Sequence, residues 1–331
     1  MMMDLLSVEP QKVSTDISSY TTFLYGPPKA GKTTFMFGLY GTDAIFARTE
    51  KGTKLIPGLL GQDIANWSSF MMFIQQLRRP EVKAKFKTVV IDTIDNLYKF
   101  LEKYVKNKYG VDNLKEANGG YGAGYNEVSE LLFDALNTIE KEGYSVAFIS
   151  HSTIKTEKLP GTETEFEKYI PSVNKRGLEI ATKMVDNILF SYLKVDEATK
   201  EETRVLYTRE TPYFQAGTRF ENFPAALPID SNVFKQEMIK SIEGMGAENI
   251  KSEKEDYAVA ETVLVFGELM NEAKGIATAL NKLQRMNEVV EVVEKHLGVG
   301  KLLRDATEKQ VETVSLIVED LRKIPLDKLE V

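Results

Sequence analysis

The sequence contains no cysteine among its 331 residues, and its only histidines are His151 and His296. These shortages exclude disulfides, thiolate catalysis, cysteine-ligated zinc and a histidine-rich metal site. Any bound metal is therefore expected to be a hard cation with oxygen ligands. The sequence also lacks the roughly 20 consecutive apolar residues of a membrane-spanning helix, and Met1 to Pro10 lacks the pattern of a secretion signal. We expect a cytoplasmic protein that does not interact with membranes.

Charge of one sign is concentrated in the last third of the chain. The formal net charge is -7, and residues 230–331 contain 14 Lys and Arg against 20 Asp and Glu. Residues 1–229 contain 28 and 29, respectively, and are nearly neutral. This balance argues against a protein that coats nucleic acid by bulk charge, but it permits a local DNA-binding groove in the first part of the chain.

The first two thirds of the chain alternate β-type and helical patterns. Apolar runs rich in β-branched and aromatic residues, which predict strands, occupy residues 21–25, 43–48, 87–92, 144–150, 187–195, 203–208 and the region around 213–220. A helical pattern from Val128 to Ile139 separates two of these runs and ends near Gly143. Alternation of this kind predicts an α/β fold with a mostly parallel central sheet.

The pattern after Pro228 is helical only. We predict a core domain of residues 1–229 and a small, acidic, helical C-terminal domain of residues 230–331, with a linker at about 244–251. Capping-box patterns at Ser252 with Glu255 and at Thr307 with Gln310 mark two helix starts. A fragment ending near Pro228 is expected to retain the complete nucleotide site, and the acidic domain is expected to contact a protein or a neighbouring subunit.

The segment from Gly26 to Thr33 matches the Walker A pattern in full and lies between a predicted strand and a predicted helix. Backbone amides of such a loop surround phosphate groups, and the start of the helix adds partial positive charge. The predicted nucleotide contacts are Gly26, Pro27, Pro28, Lys29, Ala30, Gly31, Lys32, Thr33 and Thr34. Lys32 is expected to contact the β- and γ-phosphates of ATP and to be exposed in the empty loop, and the Thr33 hydroxyl is expected to bind Mg²⁺.

Polar residues follow three further predicted strands. Asp92 ends an apolar strand and is a candidate Mg²⁺ ligand, directly or through water. Glu50 comes just after the strand that follows the Walker helix, where a carboxylate can orient the attacking water. Ser150 and His151 end another strand and can contact the γ-phosphate and respond to its loss. Because the carboxyl ends of parallel strands share one edge of a sheet, these side chains are expected to meet there.

These residues, in this order and spacing, resemble the RecA-like recombinase superfamily. More closely, residues 20–228 look like the phage-encoded RecA-core ATPases associated with single-strand annealing and recombination. The resemblance implies a RecA-like core, a catalytic role for Glu50, a sensor at Ser150 and His151, and DNA-facing loops after the later strands. Many members have glutamine at the sensor position that His151 occupies here.

Two segments are candidate DNA loops. The Gly- and Tyr-rich segment 118–125 offers Tyr121 and Tyr125 for stacking on bases, and it follows the lysine-rich stretch 99–115. The polar segment from Thr153 to Arg176 contains the candidate phosphate contacts Lys155, Lys175 and Arg176. Both segments can equally be surface loops without a ligand.

An arginine supplied across a subunit interface can stabilise the transition state of phosphoryl transfer. The candidates for such a role are Lys175, Arg176, Arg209 and Arg219, with Arg219 as the first choice. The sequence therefore favours a Mg²⁺-dependent ATPase that self-associates, binds single-stranded DNA and depends on it for hydrolysis, in phage-type recombination, annealing, repair or replication. Two alternatives stay open: a ring-forming, helicase-like motor, and a nucleotide-gated adaptor that binds a protein and no DNA.

Overall fold

The computed structural model describes residues 14, 16–52, 55–158, 161, 163–195, 200, 202–244 and 266–325. The chain divides into two compact units, one within residues 8–257 and one that contains residues 258–331. Among the described residues, none of the helices has both the length and the apolar composition needed to cross a membrane.

A mostly parallel sheet forms the centre of the first unit. Its strand order is β10-β8-β7-β1-β5-β4-β2-β3, with β6 beside β5 and β9 beside β7. The six strands from β7 to β3 in this order are parallel, whereas β6, β8, β9 and β10 pair antiparallel with their neighbours. The strands are β1 (Thr22–Gly26), β2 (Ala44–Arg48), β3 (Gly61–Asp63), β4 (Thr88–Asp92), β5 (Ser145–Lys158), β6 (Glu165–Pro171), β7 (Asn187–Val195), β8 (Glu202–Tyr207), β9 (Gly217–Thr218) and β10 (Ala226–Pro228). The predicted α/β fold with a mostly parallel central sheet is confirmed.

Helices cover both faces of the sheet. The helices of the first unit are α1 (Lys32–Tyr40), α2 (Trp67–Leu77), α3 (Pro80–Lys85), α4 (Ile94–Tyr109), α5 (Ala123–Lys141), α6 (Lys175–Lys183) and α7 (Ser231–Gly244). Successive residues of a strand point to opposite faces, so Val89 and Ile91 of β4 pack with α2, α4 and α5, whereas Val90 packs with α1 and α7. Burial on both faces explains why the parallel strands are almost continuously apolar.

The segment after His151 differs from the sequence prediction. Instead of a long polar loop from Thr153 to Arg176, β5 continues to Lys158 and the chain returns as β6, with Ser152 beside Pro171 and Lys158 beside Glu165. The β-branched residues Thr153, Ile154 and Thr156 favour this hairpin. The predicted strand around residues 213–220 is also wrong in extent, since only Gly217–Thr218 forms a strand there, β9, while Phe214 makes isolated bridges to Tyr169 and Thr211.

Helix α7 packs on the sheet of the first unit. Phe234, Met238 and Ile242 are buried there, and the ring of Phe234 lies 5.5 Å from that of Phe35 in α1. The first unit therefore extends beyond residue 229, where the sequence pattern placed the domain boundary. The sequence pattern becomes purely helical after Pro228. That change does not show that α7, the first helix after it, packs on the core of the first unit. The predicted linker beyond Gly244 and the Ser252–Glu255 capping box lie outside the described residues.

The described part of the second unit consists of three helices and their connections. These are α8 (Phe266–Lys282), α9 (Met286–Leu297) and α10 (Val311–Arg322). Their shared core contains Ala273, Leu280, Val289, Val293, Ile317, Val318 and Leu321. The predicted capping box is present, because the amide of Thr307 donates to the side chain of Gln310 over 3.0 Å, just before α10.

Candidate functional site

The carboxyl ends of β1, β2 and β4 meet the middle of β5, around His151, at one edge of the sheet. Gly26 at the end of β1 lies beside His151 of β5, and Asp92 at the end of β4 lies beside Arg48 of β2. The register thus brings the Walker loop, Glu50, Asp92 and His151 to the same edge, as the sequence predicts for parallel strands.

The Walker loop leads from β1 into α1 through left-handed backbone at Lys29 (φ 63°) and Gly31 (φ 87°). Gly31 precedes the first residue of α1 and has no side chain to cap the helix, so the amides of the first turn stay available for an anion. Pro28, Lys29 and Thr34 are exposed, whereas Ala30 is buried and its carbonyl accepts from the Ser191 hydroxyl over 3.3 Å.

Lys32 lies inside the loop. Its side chain is buried, with 6% of the residue exposed, and its ammonium donates to the carbonyls of Gly26 (3.0 Å) and Pro27 (2.8 Å). Burial lowers the pKa of Lys32, and the nearby carboxylates of Asp92 and Glu50 oppose that shift. The prediction that Lys32 is exposed in the empty loop is therefore wrong, because loop carbonyls satisfy the ammonium in the place where phosphate oxygens would bind.

Thr33 and Asp92 form the candidate metal site. The Thr33 hydroxyl donates to Asp92 Oδ2 over 2.9 Å, while Asp92 Oδ1 is buried and has no hydrogen-bond partner among the described residues. Burial raises the pKa of Asp92 to about 6. An unpartnered buried carboxylate oxygen beside a hydroxyl fits Mg²⁺, which takes one or two protein oxygens and completes its shell with phosphates and water. In the described part of the chain, no cluster of three or more acidic or histidine side chains offers a full protein cage for a metal.

Glu50 and His151 form an ion pair next to this site. Glu50 Oε2 lies 3.2 Å from His151 Nε2, and the Asn96 side-chain amide donates to the same oxygen over 3.4 Å. The hydrogen bond to His151 lowers the pKa of Glu50, and the same contact raises the pKa of His151. Both shifts favour a charged carboxylate and a protonated imidazole. Both side chains keep about a third of their surface exposed, so they can reach a ligand at this edge.

Asp95, in the first turn of α4, anchors the strand that carries His151. Its buried carboxylate accepts hydrogen bonds from the Ser150 hydroxyl (2.8 Å), the His151 amide (3.1 Å) and the Ser172 hydroxyl. The structure thus places the Ser150 hydroxyl on Asp95 and not at the surface of the site, so of the two residues predicted as a sensor only His151 presents its side chain there. Sequence reasoning missed the role of Asp95 because an acidic residue in a first helical turn is ordinary, and its donors are 55 or more residues away in the chain.

The first candidate DNA segment meets part of the second. Tyr121 is fully exposed, whereas Tyr125 is half-buried in α5 and has the guanidinium of Arg176 over its ring at 5.7 Å. Arg176 also donates to the Asn126 side chain over 2.7 Å. Lys175 is exposed beside this group. These residues form a surface of mixed aromatic and basic character.

Three further candidates lie elsewhere, and one of them, Arg209, follows β8 and donates to the Phe223 carbonyl over 3.2 Å. Lys155 is on the β5–β6 hairpin and contacts Glu157 over 3.1 Å. Arg219 pairs with Asp186 over 3.2 Å, directly before β7, whose first residue lies beside Thr22 at the start of β1. Arg219 is therefore at the edge of the sheet opposite the Walker loop and does not reach the site of its own chain. Its action on a neighbouring subunit stays a prediction.

Comparison with known proteins agrees with this site. A protein-family model described as an AAA domain matches residues 18–220, which is more than half of the chain and includes the Walker loop, Glu50, Asp92 and His151. The chain is also similar to the SPbeta prophage-derived uncharacterized protein YorG of Bacillus subtilis (strain 168). The two are 28% identical over 334 residues, covering 98% of this chain and 99% of that protein. On the family match and the geometry of its phosphate loop, the chain belongs to the AAA domain family of P-loop NTPases.

Proposed function

We propose that the protein is a Mg²⁺-dependent ATPase with a RecA-like core that couples hydrolysis to the binding of single-stranded DNA in phage-type recombination, annealing, repair or replication. The observation that carries the proposal is the Glu50–His151 pair, 3.2 Å apart, beside Lys32 and the Thr33–Asp92 hydrogen bond. A phosphate loop, a metal site and a positioned carboxylate at one edge are the elements that ATP hydrolysis requires.

The loop residues have separate tasks in this proposal. The amides of the first turn of α1 and the ammonium of Lys32 are placed to bind the phosphates, and Thr33 with Asp92 would hold the metal ion. A Mg²⁺ ion held there would supply positive charge against the phosphate oxygens. Binding exchanges the contacts of Lys32 with the Gly26 and Pro27 carbonyls for contacts with phosphate oxygens.

Glu50 is the proposed catalytic carboxylate. The residue after Asp92 is Thr93, whose amide and carbonyl bond to the Thr49 hydroxyl, so the end of β4 presents no second carboxylate at that position. The same contacts hold the residue before Glu50 against β4. A catalytic glutamate after the second strand is what the resemblance to RecA-like ATPases implies, and His151 occupies the sensor position.

The DNA-binding and assembly roles have separate support. Tyr121 presents a fully exposed ring, and Tyr125, Lys175 and Arg176 lie together on one surface. The prophage-derived relative supports a phage origin. We infer that the acidic C-terminal region recruits a recombination or replication protein or a neighbouring subunit, since its charge disfavours DNA.

The test is the rate of ATP hydrolysis with and without single-stranded DNA. We expect hydrolysis to require Mg²⁺ and to rise when single-stranded DNA is added. Duplex unwinding by a closed hexamer would instead identify the helicase-like motor. ATP binding without DNA stimulation would favour the nucleotide-gated adaptor.

The surface that binds DNA can be tested with Tyr121→Ala. Since stacking on one aromatic ring is worth about 1–3 kcal/mol per base, the affinity for single-stranded DNA is expected to fall by about tenfold. Tyr213→Ala is the matched control, because Tyr213 is also an exposed tyrosine, with 60% of its surface accessible, on another part of the unit. Adding Tyr125→Ala extends the effect but also removes the contact with Arg176. Equal affinities of Tyr121→Ala and the unchanged protein in fluorescence anisotropy would exclude this surface.

A further inference from the structure

A cleft of about 300 Å³ lies beside the Walker loop. Its lining includes Gly31, Thr34, Arg204, Ile229, Asp230 and Asn232. Gly31 and Thr34 belong to the phosphate loop and the first turn of α1. Arg204 comes from β8, Ile229 and Asp230 come from the connection between β10 and α7, and Asn232 comes from the first turn of α7. The cleft is thus continuous with the phosphate site.

The cleft lies on the side of β1 away from the metal site and Glu50. In the sheet, β5, β4 and β2 follow one another on one side of β1, and they deliver His151, Asp92 and Glu50. On the other side are β7 and β8, and β8 carries Arg204. A triphosphate whose terminal group lies at Asp92 therefore directs the rest of the nucleotide across the loop toward β8.

Arg204 is well placed to contact the nucleoside part of a nucleotide bound at the loop. One guanidinium nitrogen lies 3.8 Å from the position that a Cβ on Gly31 would take, and Ile229 Cδ1 lies at the same distance. Arg204 is exposed, and it forms no ion pair with any residue that the structure describes. A guanidinium plane can stack on an aromatic base, and an aliphatic side chain beside it adds apolar contact.

The opposite wall of the cleft is the start of α7. Asp230 Oδ1 accepts from the amides of Asn232 (2.7 Å) and Val233 (3.3 Å), and the Asn232 side chain is exposed. A Cβ on Gly38 would lie 2.2 Å from the Ser231 hydroxyl, so the glycine in α1 permits the close approach of α7. The wall is therefore built into the fold and offers both acceptors and donors for hydroxyl and base-edge groups.

We propose that this cleft binds the nucleoside part of the nucleoside triphosphate, with Arg204 as the side chain that contacts the base. The proposal rests on the proposed function of the Walker loop. The ligand class is a purine nucleotide, because a large aromatic base gives a guanidinium the most surface for stacking. Asp230 and Asn232 face the sugar and the base edge.

The experiment compares ATP with inorganic tripolyphosphate, which has the phosphate chain and no nucleoside. Both are titrated in the presence of Mg²⁺ into the full-length protein and into Arg204→Ala by calorimetry. We expect the variant to bind ATP about tenfold more weakly and to bind tripolyphosphate within about twofold of the unchanged protein. Arg204→Lys, which keeps the charge and loses the plane, should also weaken ATP binding. Lys194→Ala, an exposed cation on the neighbouring strand, is the matched control and should bind both as the unchanged protein does.

The outcomes separate this proposal from the function of the loop. Unchanged ATP affinity in Arg204→Ala overturns the nucleoside site and leaves the phosphate site standing. An equal loss of ATP and tripolyphosphate binding also overturns it, because Arg204 would then act on phosphate. Absence of ATP binding by the unchanged protein overturns both proposals. Because Arg204 is exposed, its replacement is not expected to unfold the chain, and circular dichroism verifies this.

Discussion

The carboxylate of Glu50 lies just past the end of β2 and the imidazole of His151 lies within β5, and these two strands flank β4 in the sheet. Glu50→Gln keeps the size of the side chain and an oxygen that can still face His151 and Asn96. It removes the charge and the ability to accept a proton from water. We therefore expect ATP binding within about twofold of the unchanged protein and a loss of turnover of about a hundredfold or more.

Steady-state hydrolysis together with calorimetric ATP binding measures both quantities. Glu116→Gln is a suitable control, since Glu116 is exposed and the change removes one charge at a distance from the site. Turnover of Glu50→Gln at the rate of this control would show that the catalytic carboxylate is a different residue. Asp92 would be the next to test, because the carboxylate of Asp95 is already engaged by three donors.

The sequence predicts which residues form the site better than it predicts their exposure and their contacts. The Walker pattern identifies the loop, and strand ends identify Glu50, Asp92 and His151. Whether Lys32 is exposed depends on the path of two carbonyls, which a motif does not specify. Arg204 is also invisible in the sequence, because it reaches the loop only through the position of β8 two strands away from β1.

At the scale of elements, Asp95 joins α4 to both strands of the β5–β6 hairpin. It binds Ser150 and His151 of β5 and Ser172 just after β6. In the unchanged protein, three donors bind the two carboxylate oxygens of Asp95. Asp95→Asn leaves only one oxygen, the amide carbonyl, to accept from them. We expect kcat to fall about tenfold or more through displacement of His151, while the KM for ATP changes little, since Asp95 does not contact the Walker loop.

Ser172→Ala tests the contact of Asp95 with β6 separately from its contacts with β5. It removes only the tie to β6 and keeps the contacts of Asp95 with β5. We therefore expect Ser172→Ala to retain turnover, while amide hydrogen exchange becomes faster in the hairpin in both variants. If Asp95→Asn raises KM and leaves kcat unchanged, Asp95 does not position the sensor strand.

The sequence predicts those strands and helices that have a clear pattern of apolar residues. The parallel strands other than β3 are apolar where they pair with one another, and α5 has an apolar face, so both are recognisable in the sequence. Strand β3 is three polar or small residues, Gly61–Asp63, and owes its conformation to pairing with β2. The β5–β6 hairpin is rich in charged and hydroxyl residues on an exposed surface, so it resembles a loop in composition. Pairing partners that are distant in sequence decide both cases.

At the scale of the whole molecule, the position of α7 changes the expected effect of truncation. A chain that ends at Pro228 loses Phe234, Met238 and Ile242, which are buried against the sheet face that also packs α1. Burial of a side chain of this size is worth about 1.5–3 kcal/mol, and a domain is stable by about 5–15 kcal/mol in all. We therefore expect a chain ending at residue 228 to be severely destabilised and a chain ending at residue 246 to bind ATP as the full chain does.

Thermal unfolding followed by circular dichroism, with calorimetric ATP titration, distinguishes the two truncations. They differ by 18 residues that include all of α7. Light scattering on the longer truncation then shows whether assembly depends on the acidic C-terminal region. If the longer truncation is folded and fails to bind ATP, residues beyond 246 complete the nucleotide site. If the shorter one is as stable as the longer, the packing of α7 contributes little to the fold.

The buried position of Lys32 has a consequence for natural selection. Its ammonium is removed from water and faces two carbonyls, and burial lowers its pKa. Desolvation of the charge offsets part of what the two hydrogen bonds contribute, so stability alone gives little reason to keep a lysine at this position. Selection for nucleotide binding is the reason to preserve it. A lineage that ceased to use ATP would be expected to lose Lys32 early, while Gly26 persisted, because a Cβ at Gly26 would lie 2.3 Å from the Ser191 carbonyl whether or not a ligand binds.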